Sequence, residues 1–288
     1  MRASIPVLAV AALMVCACAQ EHRLGSAGIT DAGLHPHTPS LSITPAQATP
    51  SRPPREPAYY NMVNTSRPIL ALTFDDGPHP QLTPRLLDIL RQQGVRATFY
   101  VIGRNVETYP EIARRIVAEG HEIANHTWNH PALTKVSAAK LKQEIESTTK
   151  VIERVTGRRP TNMRPPYGAI NDRVRQSLLQ DHKLDVIMWS VDPLDWKRPG
   201  ASVVTQRMVQ GAKPGAILLA HDIHPGTIEA MPQTIAQLKA KGYGFATVSQ
   251  LLALREPEVA APAAADLTPA SYGGEPTVEV SGESPAGY

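Results

Sequence analysis

Two adjacent carboxylates and two histidines four positions apart are the residues of this chain best suited to chemistry. Thr73-Phe74-Asp75-Asp76-Gly77-Pro78 sets two acids side by side, and such neighbours repel unless a cation or a shared proton lies close. Taken alone, Asp-Asp-Gly reads as a turn. His126-Thr127-Trp128-Asn129-His130 holds two imidazoles that can converge on one metal if the segment is helical or curls back. Joined by a carboxylate from elsewhere, they make a His-His-Asp set with open positions. That is the layout of a catalytic metal site, since structural zinc is usually closed by four protein ligands.

Three further clusters share this character. Arg164-Pro165-Pro166-Tyr167-Gly168 is stiffened by proline and turned by glycine, and its arginine could grip a carboxylate through two nitrogens. On its own it reads as a proline-rich turn. Asp192-Pro193-Leu194-Asp195-Trp196 combines two acids with an indole that either plugs a core or stacks on a sugar ring. Leu219-Ala220-His221-Asp222-Ile223-His224 carries a histidine that a carboxylate neighbour could tune for proton donation; it could equally be a satisfied polar cap.

The elements around these clusters alternate. Ile69–Phe74, Ala97–Ile102, His121–Asn125, Val186–Val191, Ala216–Ala220 and Phe245–Val248 read as strands, with a brief extended piece at Met163. Helices are expected from Thr83, as N-cap, to Gly94, and across Ile112–Val117. Others run from Ser137 to Gly157 and over Val174–Leu179, Ser202–Val209, Ile228–Lys239 and Ser249–Leu254. Alternation of this kind predicts an α/β fold with a parallel sheet covered by helices, either an open sheet or a compact βα barrel. In both, ligands bind at the C-terminal ends of the strands. Each of the five polar clusters falls at such an end.

Composition narrows the partners. The 288 residues carry a net charge of +3, with no basic run interleaved with aromatics, so no nucleic-acid partner is expected. Both cysteines, Cys16 and Cys18, lie near the start, which leaves His, Asp and Glu as the metal-binding side chains of the globular part. Residues 1–19 read as an export signal, with the apolar run Ile5–Val15 too short to span a bilayer. Val15-Cys16-Ala17 before Cys18 resembles a bacterial lipobox, with Cys18 as anchor; Ala17-Cys18-Ala19 also fits ordinary cleavage. Residues 20–66, rich in Pro, Ser and Thr, read as a disordered linker, 67–255 as a single catalytic domain, and 256–288 as a disordered tail.

The five clusters, in this order, resemble the polysaccharide deacetylases of carbohydrate esterase family four. That group includes chitin, nodulation-factor and peptidoglycan N-acetylglucosamine deacetylases and acetylxylan esterases. The resemblance runs from Arg67 to about Leu254. It implies a distorted (β/α)-barrel, usually of seven strands. Residue by residue, it implies Asp75 as catalytic base and Asp76, His126 and His130 as metal ligands. Arg164 would orient Asp75, the Tyr167 backbone N–H would serve an oxyanion hole, and Asp195 would pair with His221 as general acid. Trp196 and Leu219 would line the pocket for the acetyl methyl. One divalent metal is implied, zinc by ligand type, with cobalt, manganese or nickel also suited to these donors. Lys197-Arg198-Pro199-Gly200 lies where relatives vary, which bears on substrate shape rather than chemistry.

The implied activity is hydrolysis of N-acetyl groups from a cell-wall or chitin-like glycan, with release of acetate. The expected partner is peptidoglycan, an exopolysaccharide or a chitooligosaccharide, met by a monomer in the periplasm or cell envelope. Membrane contact is expected only through a lipidated Cys18. The alternatives are an acetylxylan-type O-deacetylase and a non-catalytic wall-binding protein on the same scaffold. A two-histidine-one-carboxylate iron oxygenase shares the ligand set, but that group commonly uses a double-sheet scaffold rather than alternating strands and helices.

Overall fold

The computed structural model describes residues 57–257. The signal and anchor readings, and most of the expected linker and tail, lie outside these residues. In chain order the elements are β1 (Tyr59–Tyr60), β2 (Ile69–Asp75), α1 (Leu82–Gln93), β3 (Thr98–Val101), α2 (Gly103–Thr108) and α3 (Pro110–Ala118). β4 (Glu122–Asn125), α4 (Ala138–Thr156), β5 (Asn162–Met163), α5 (Asp172–Gln176) and β6 (Asp185–Ile187) follow. The last elements among the described residues are α6 (Ala201–Gly211), β7 (Ile217–His221), α7 (Pro225–Ala240), β8 (Gly244–Ala246) and α8 (Val248–Ala253).

Seven strands lie in the order β1-β6-β5-β4-β3-β2-β7, all pairs parallel, and β8 pairs with the start of β2 off this path. The sheet curls until its edges meet: Met62, just after β1, bridges to Ala216 ahead of β7, and Val191, in the stretch after β6, bridges to Leu218 two positions further along. This is the distorted (β/α)-barrel that the resemblance implied.

Side-chain alternation divides the core. In β2, Leu70, Leu72 and Phe74 face outward into the layer that includes Leu86 and Leu90 of α1. Ala71 belongs to the inner cluster with Tyr100, Ala124, Ile187 and Ile217, and Leu251 and Leu252 of α8 pack into the same cluster. Glu122 ties this lower end together. It accepts from the Thr98 hydroxyl, the Asn162 amide, and both the backbone N–H and the hydroxyl of Ser249.

Several boundaries differ from those expected. Folded chain begins ahead of Arg67: β1 pairs with β6, and Val63 is buried against Gly215, where any side chain would overlap the Val63 carbonyl. This stretch sits in a proline-rich surrounding, so its few apolar residues carry no periodicity. Beyond Arg255, Glu256 N–H donates to Asn64 O and its carboxylate accepts from Ser66, joining the two ends of the domain. Thr83 is not the cap of α1; His79 Nδ1 accepts from Gln81 N and Leu82 N instead, and the Thr83 hydroxyl turns inward. α2 was not foreseen because Val106 is its one bulky apolar residue. The strand expected over Val186–Val191 ends at Ile187, and the chain then crosses toward β7.

Replacement of Glu122 by Ala would strand donors from three elements at the bottom of the barrel. A loss of about 3 kcal/mol in urea denaturation is expected, and Glu122→Gln, which keeps one acceptor oxygen, is expected to lose roughly half of that.

Candidate active site

β2 delivers Asp75 to its inward face above Thr73, and β7 delivers His221 in direct register beside it. β4 ends at Asn125, so His126 follows immediately, and β5 ends at Met163, so Arg164 does the same. All four strands run parallel, which brings these termini to one end of the barrel. There they surround a cavity of about 440 Å³. Asp75, Asp76, His126, His130, Tyr167, Trp196, Leu219 and His221 all line it. Arg164 and Asp195, the other two residues singled out from sequence, are buried, and each is bonded to a lining residue.

Arg164 is fully buried, so every donor it carries needs a partner. Its guanidinium donates to Asp75 Oδ1 at 2.6 Å, Thr73 Oγ1 at 2.8 Å, and the carbonyls of Ile187 and Met188 at 3.2 and 3.0 Å. The Tyr100 ring lies under it, 4.2 Å away. One oxygen of Asp75 is therefore committed, and Oδ2 is left facing the cavity, 3.7 Å from His126 Nε2.

Asp76, His126 and His130 form the second unit. Their candidate ligand atoms lie within 4.8 Å of one another. His126 Nδ1 stands 2.7 Å from the Arg164 carbonyl, which can only accept, so Nδ1 carries the proton and Nε2 presents its lone pair. Asp76 Oδ1 is buried and makes no hydrogen bond; His126 Nε2 and His130 Nε2 stand 3.5 and 3.3 Å from it. Burial opposes the Asp76 charge, but the nearby histidines hold its carboxyl down to about 2. Burial and the neighbouring His126 hold His130 below the ordinary histidine value, which favours its neutral form. An ionised carboxylate with an orphaned oxygen, a His126 whose Nε2 faces it and a His130 favoured neutral fit a divalent cation, because ligation requires a deprotonated carboxylate and imidazole lone pairs.

Asp195 and His221 form the third. His221 Nδ1 stands 2.8 Å from Asp195 Oδ1, and the His221 backbone N–H and the Thr227 hydroxyl donate to Oδ2 at 2.8 and 2.7 Å. Burial pulls the His221 pKa down, but the hydrogen bond and charge of Asp195, with Asp75 and Asp76 nearby, push it up to about 9. Tyr167 stands at the rim in a left-handed conformation, with φ 62° and 71% exposed, its ring against His130 at 4.6 Å. Trp196 is 50% exposed on a short 3-10 turn beyond β6.

Some residues that shape the site were not assigned a role from sequence. Asp222 is buried beneath Gly77 and accepts from Thr83; a side chain at Gly77 would overlap its carboxylate. Glu144 is buried on α4 and accepts from the backbone N–H of Trp128 and Asn129. The signal for Glu144 was an acid on the helix face that carries Leu141, Ile145 and Ile152. Trp189, Asp192 and His224 also line the cavity.

Comparison with known proteins agrees with this geometry. The polysaccharide deacetylase family model matches residues 62–186. A peptidoglycan-N-acetylglucosamine deacetylase of Listeria monocytogenes is 44% identical over 182 residues, 63% of this chain and 38% of the relative, so the match spans well under half of that protein. A chitooligosaccharide deacetylase of a Bradyrhizobium strain is 38% identical over 207 residues, 67% of this chain and 94% of the relative. Among solved structures, a peptidoglycan N-acetylglucosamine deacetylase bound to an N-oxidanyl-benzamide superposes with a TM-score of 0.66 at 35% identity, covering 69% of this chain and 94% of that one. A Bacillus anthracis protein described as a pseudoenzyme of carbohydrate esterase family four reaches 0.65 at 32% identity, covering 70% and 71%. With a barrel, a cavity and a donor set of this kind behind the match, the chain belongs to the polysaccharide deacetylase family.

Proposed function

We propose that this protein hydrolyses N-acetyl groups of an acetylated cell-wall glycan, releasing acetate and leaving a free amine, with peptidoglycan ahead of chitooligosaccharide as substrate. The observation that carries this reading is the flanking of one three-donor cluster by two oriented proton-transfer pairs, Arg164–Asp75 and Asp195–His221. Peptidoglycan is favoured by the relatives named above, and a place in the cell envelope by the export pattern of residues 1–19.

Asp76, His126 and His130 would hold one divalent cation, zinc by donor type. When bound there, such an ion supplies Lewis-acid polarisation of the acyl oxygen and lowers the pKa of water. The remaining steps fall to the chain. Asp75 Oδ2 takes a proton from the attacking water while Arg164 fixes the other oxygen, so the base cannot rotate away. The developing oxyanion is stabilised by the Tyr167 backbone N–H at the rim. Collapse breaks the C–N bond, and His221 gives its proton to the departing nitrogen, which would otherwise leave as a poorly stabilised amide anion. Asp195 keeps that proton in place through neutral pH. Leu219 and Trp196 form the apolar wall for the acetyl methyl.

A wall-binding protein without activity is the rival, since the scaffold also occurs in a protein described as a pseudoenzyme. Here both proton-transfer pairs are complete, and an inactive binder has no use for a histidine held at about 9.

Acetate release from acetylated chitooligosaccharides and from peptidoglycan, with zinc and with chelator, tests the proposal. Activity that needs the metal and falls at least about 1,000-fold in Asp75→Asn is expected, from combined loss of the base and its positioning. No release on either glycan by a metal-loaded protein would favour the binder. The pH profile gives an independent check. His221 must be protonated, so kcat is expected to fall as pH rises through about 9. In Asp195→Asn, burial is left unopposed by the partner's charge, and that alkaline limb is expected to move down toward or below ~6.5, the ordinary histidine value.

A further inference from the structure

The loop between the two metal-site histidines cannot form on backbone bonding alone. Thr127 and His130 both adopt left-handed conformations, with φ 69° and 61°, which side-chain-bearing residues enter only when their surroundings hold them there. The four N–H groups of residues 127–130 all go to side chains. Thr127 N donates to Asn125 Oδ1 at 2.8 Å, and His130 N to Thr127 Oγ1 at 3.0 Å. The middle two, Trp128 N and Asn129 N, both donate to one oxygen, Glu144 Oε2, each at 2.8 Å. Glu144 is fully buried, on the first half of α4, and its other oxygen meets Lys140 Nζ at 3.0 Å and Asn129 Nδ2 at 3.4 Å. From the far side, Gly103 N and Arg104 N at the start of α2 donate to the carbonyls of Thr127 and Trp128.

We propose that Glu144 is a positioning residue: by gathering two consecutive N–H groups onto one buried carboxylate oxygen, it curls the loop so that His130 returns beside His126, and thereby sets the cation affinity of the site. Its role rests on the reading that Asp76, His126 and His130 hold a divalent cation. A carboxylate suits this task because consecutive N–H groups in a tight turn form a concavity that favours negative charge. A short rigid link to α4 also removes the freedom that the long loop from β4 to α4 would otherwise give the second histidine. Without Glu144, two consecutive N–H groups lose their acceptor, and the left-handed residues lose what opposes their return to extended geometry.

The test measures metal binding apart from turnover. Full-length protein is stripped of metal and titrated with Co²⁺ against a chromophoric chelator, and the visible absorption of bound Co²⁺ is recorded as a signature of coordination. Glu144→Ala is expected to weaken Co²⁺ binding about 10- to 100-fold, the range seen when support behind metal ligands is removed, and to alter the spectrum. Glu144→Gln keeps an acceptor oxygen at the same reach and is expected to restore affinity to within about fivefold of the parent. Glu144→Asp, too short to reach both N–H groups, covers the case in which the alanine variant does not fold, and is expected to fall between the two. Parent affinity and spectrum in the alanine or aspartate variant would overturn the proposal, even if melting temperature dropped. Parent protein that binds no Co²⁺, or a His130→Ala variant that binds it unchanged, would instead overturn the metal reading itself.

Discussion

A guanidinium buried inside the barrel is the constraint on which the rest of the upper end depends. Arg164 has no water to solvate it, and a buried charge without partners is strongly destabilising. Its neighbours answer that need: the Asp75 carboxylate, the Thr73 hydroxyl, the carbonyls of Ile187 at the end of β6 and of Met188 just after it, and the Tyr100 ring. In meeting it they lock β2, β5 and β6 to one another at the height of the cavity. The Arg164 carbonyl then fixes the tautomer of His126, so one residue orients the base with its side chain and a candidate metal ligand with its backbone.

Around that pillar, the chemistry sits on strained turns supported from below. Asp76, Thr127, His130 and Tyr167 all have positive φ without being glycine. Such conformations persist where the surroundings over-determine them. Asn105 Nδ2 donates to the Asp76 carbonyl, Asp222 fills the space under Gly77, and Glu144 caps the histidine loop. The two ends of the barrel thus differ in purpose. Glu122 at the bottom joins strands and α8, while the buried acids Glu144 and Asp222 at the top brace the turns around the cavity.

Within the site, environment separates groups of the same chemical type. Asp76 is held ionised by neighbouring histidines and His221 is held protonated by Asp195. His130, which has no carboxylate bonded to its far nitrogen and has His126 beside it, is favoured neutral by burial and that neighbour. A carboxylate held ionised, a histidine favoured neutral and a histidine held protonated are told apart by their surroundings.

The alternating pattern and the polar clusters at strand ends were legible in the chain itself, because apolar periodicity reports which face of an element is buried and strand direction in an α/β fold dictates where ligands gather. Asp75, Asp76, His126, His130, Arg164, Asp195, Trp196 and His221 were found that way, and the cavity brings them together or rests upon them. The motif resemblance settled barrel over open sheet, which periodicity could not. What only the tertiary structure decided was the support. β1 carries too few apolar residues for a period, α2 is polar almost throughout, and Val186–Val191 breaks because the chain must leave β6 to reach β7. Asp222 and Glu144 act on residues far away in sequence, through hydrogen bonds that depend on packing. Residue type and spacing reveal which groups can react, whereas the bonds that hold them in place join elements the chain order keeps apart.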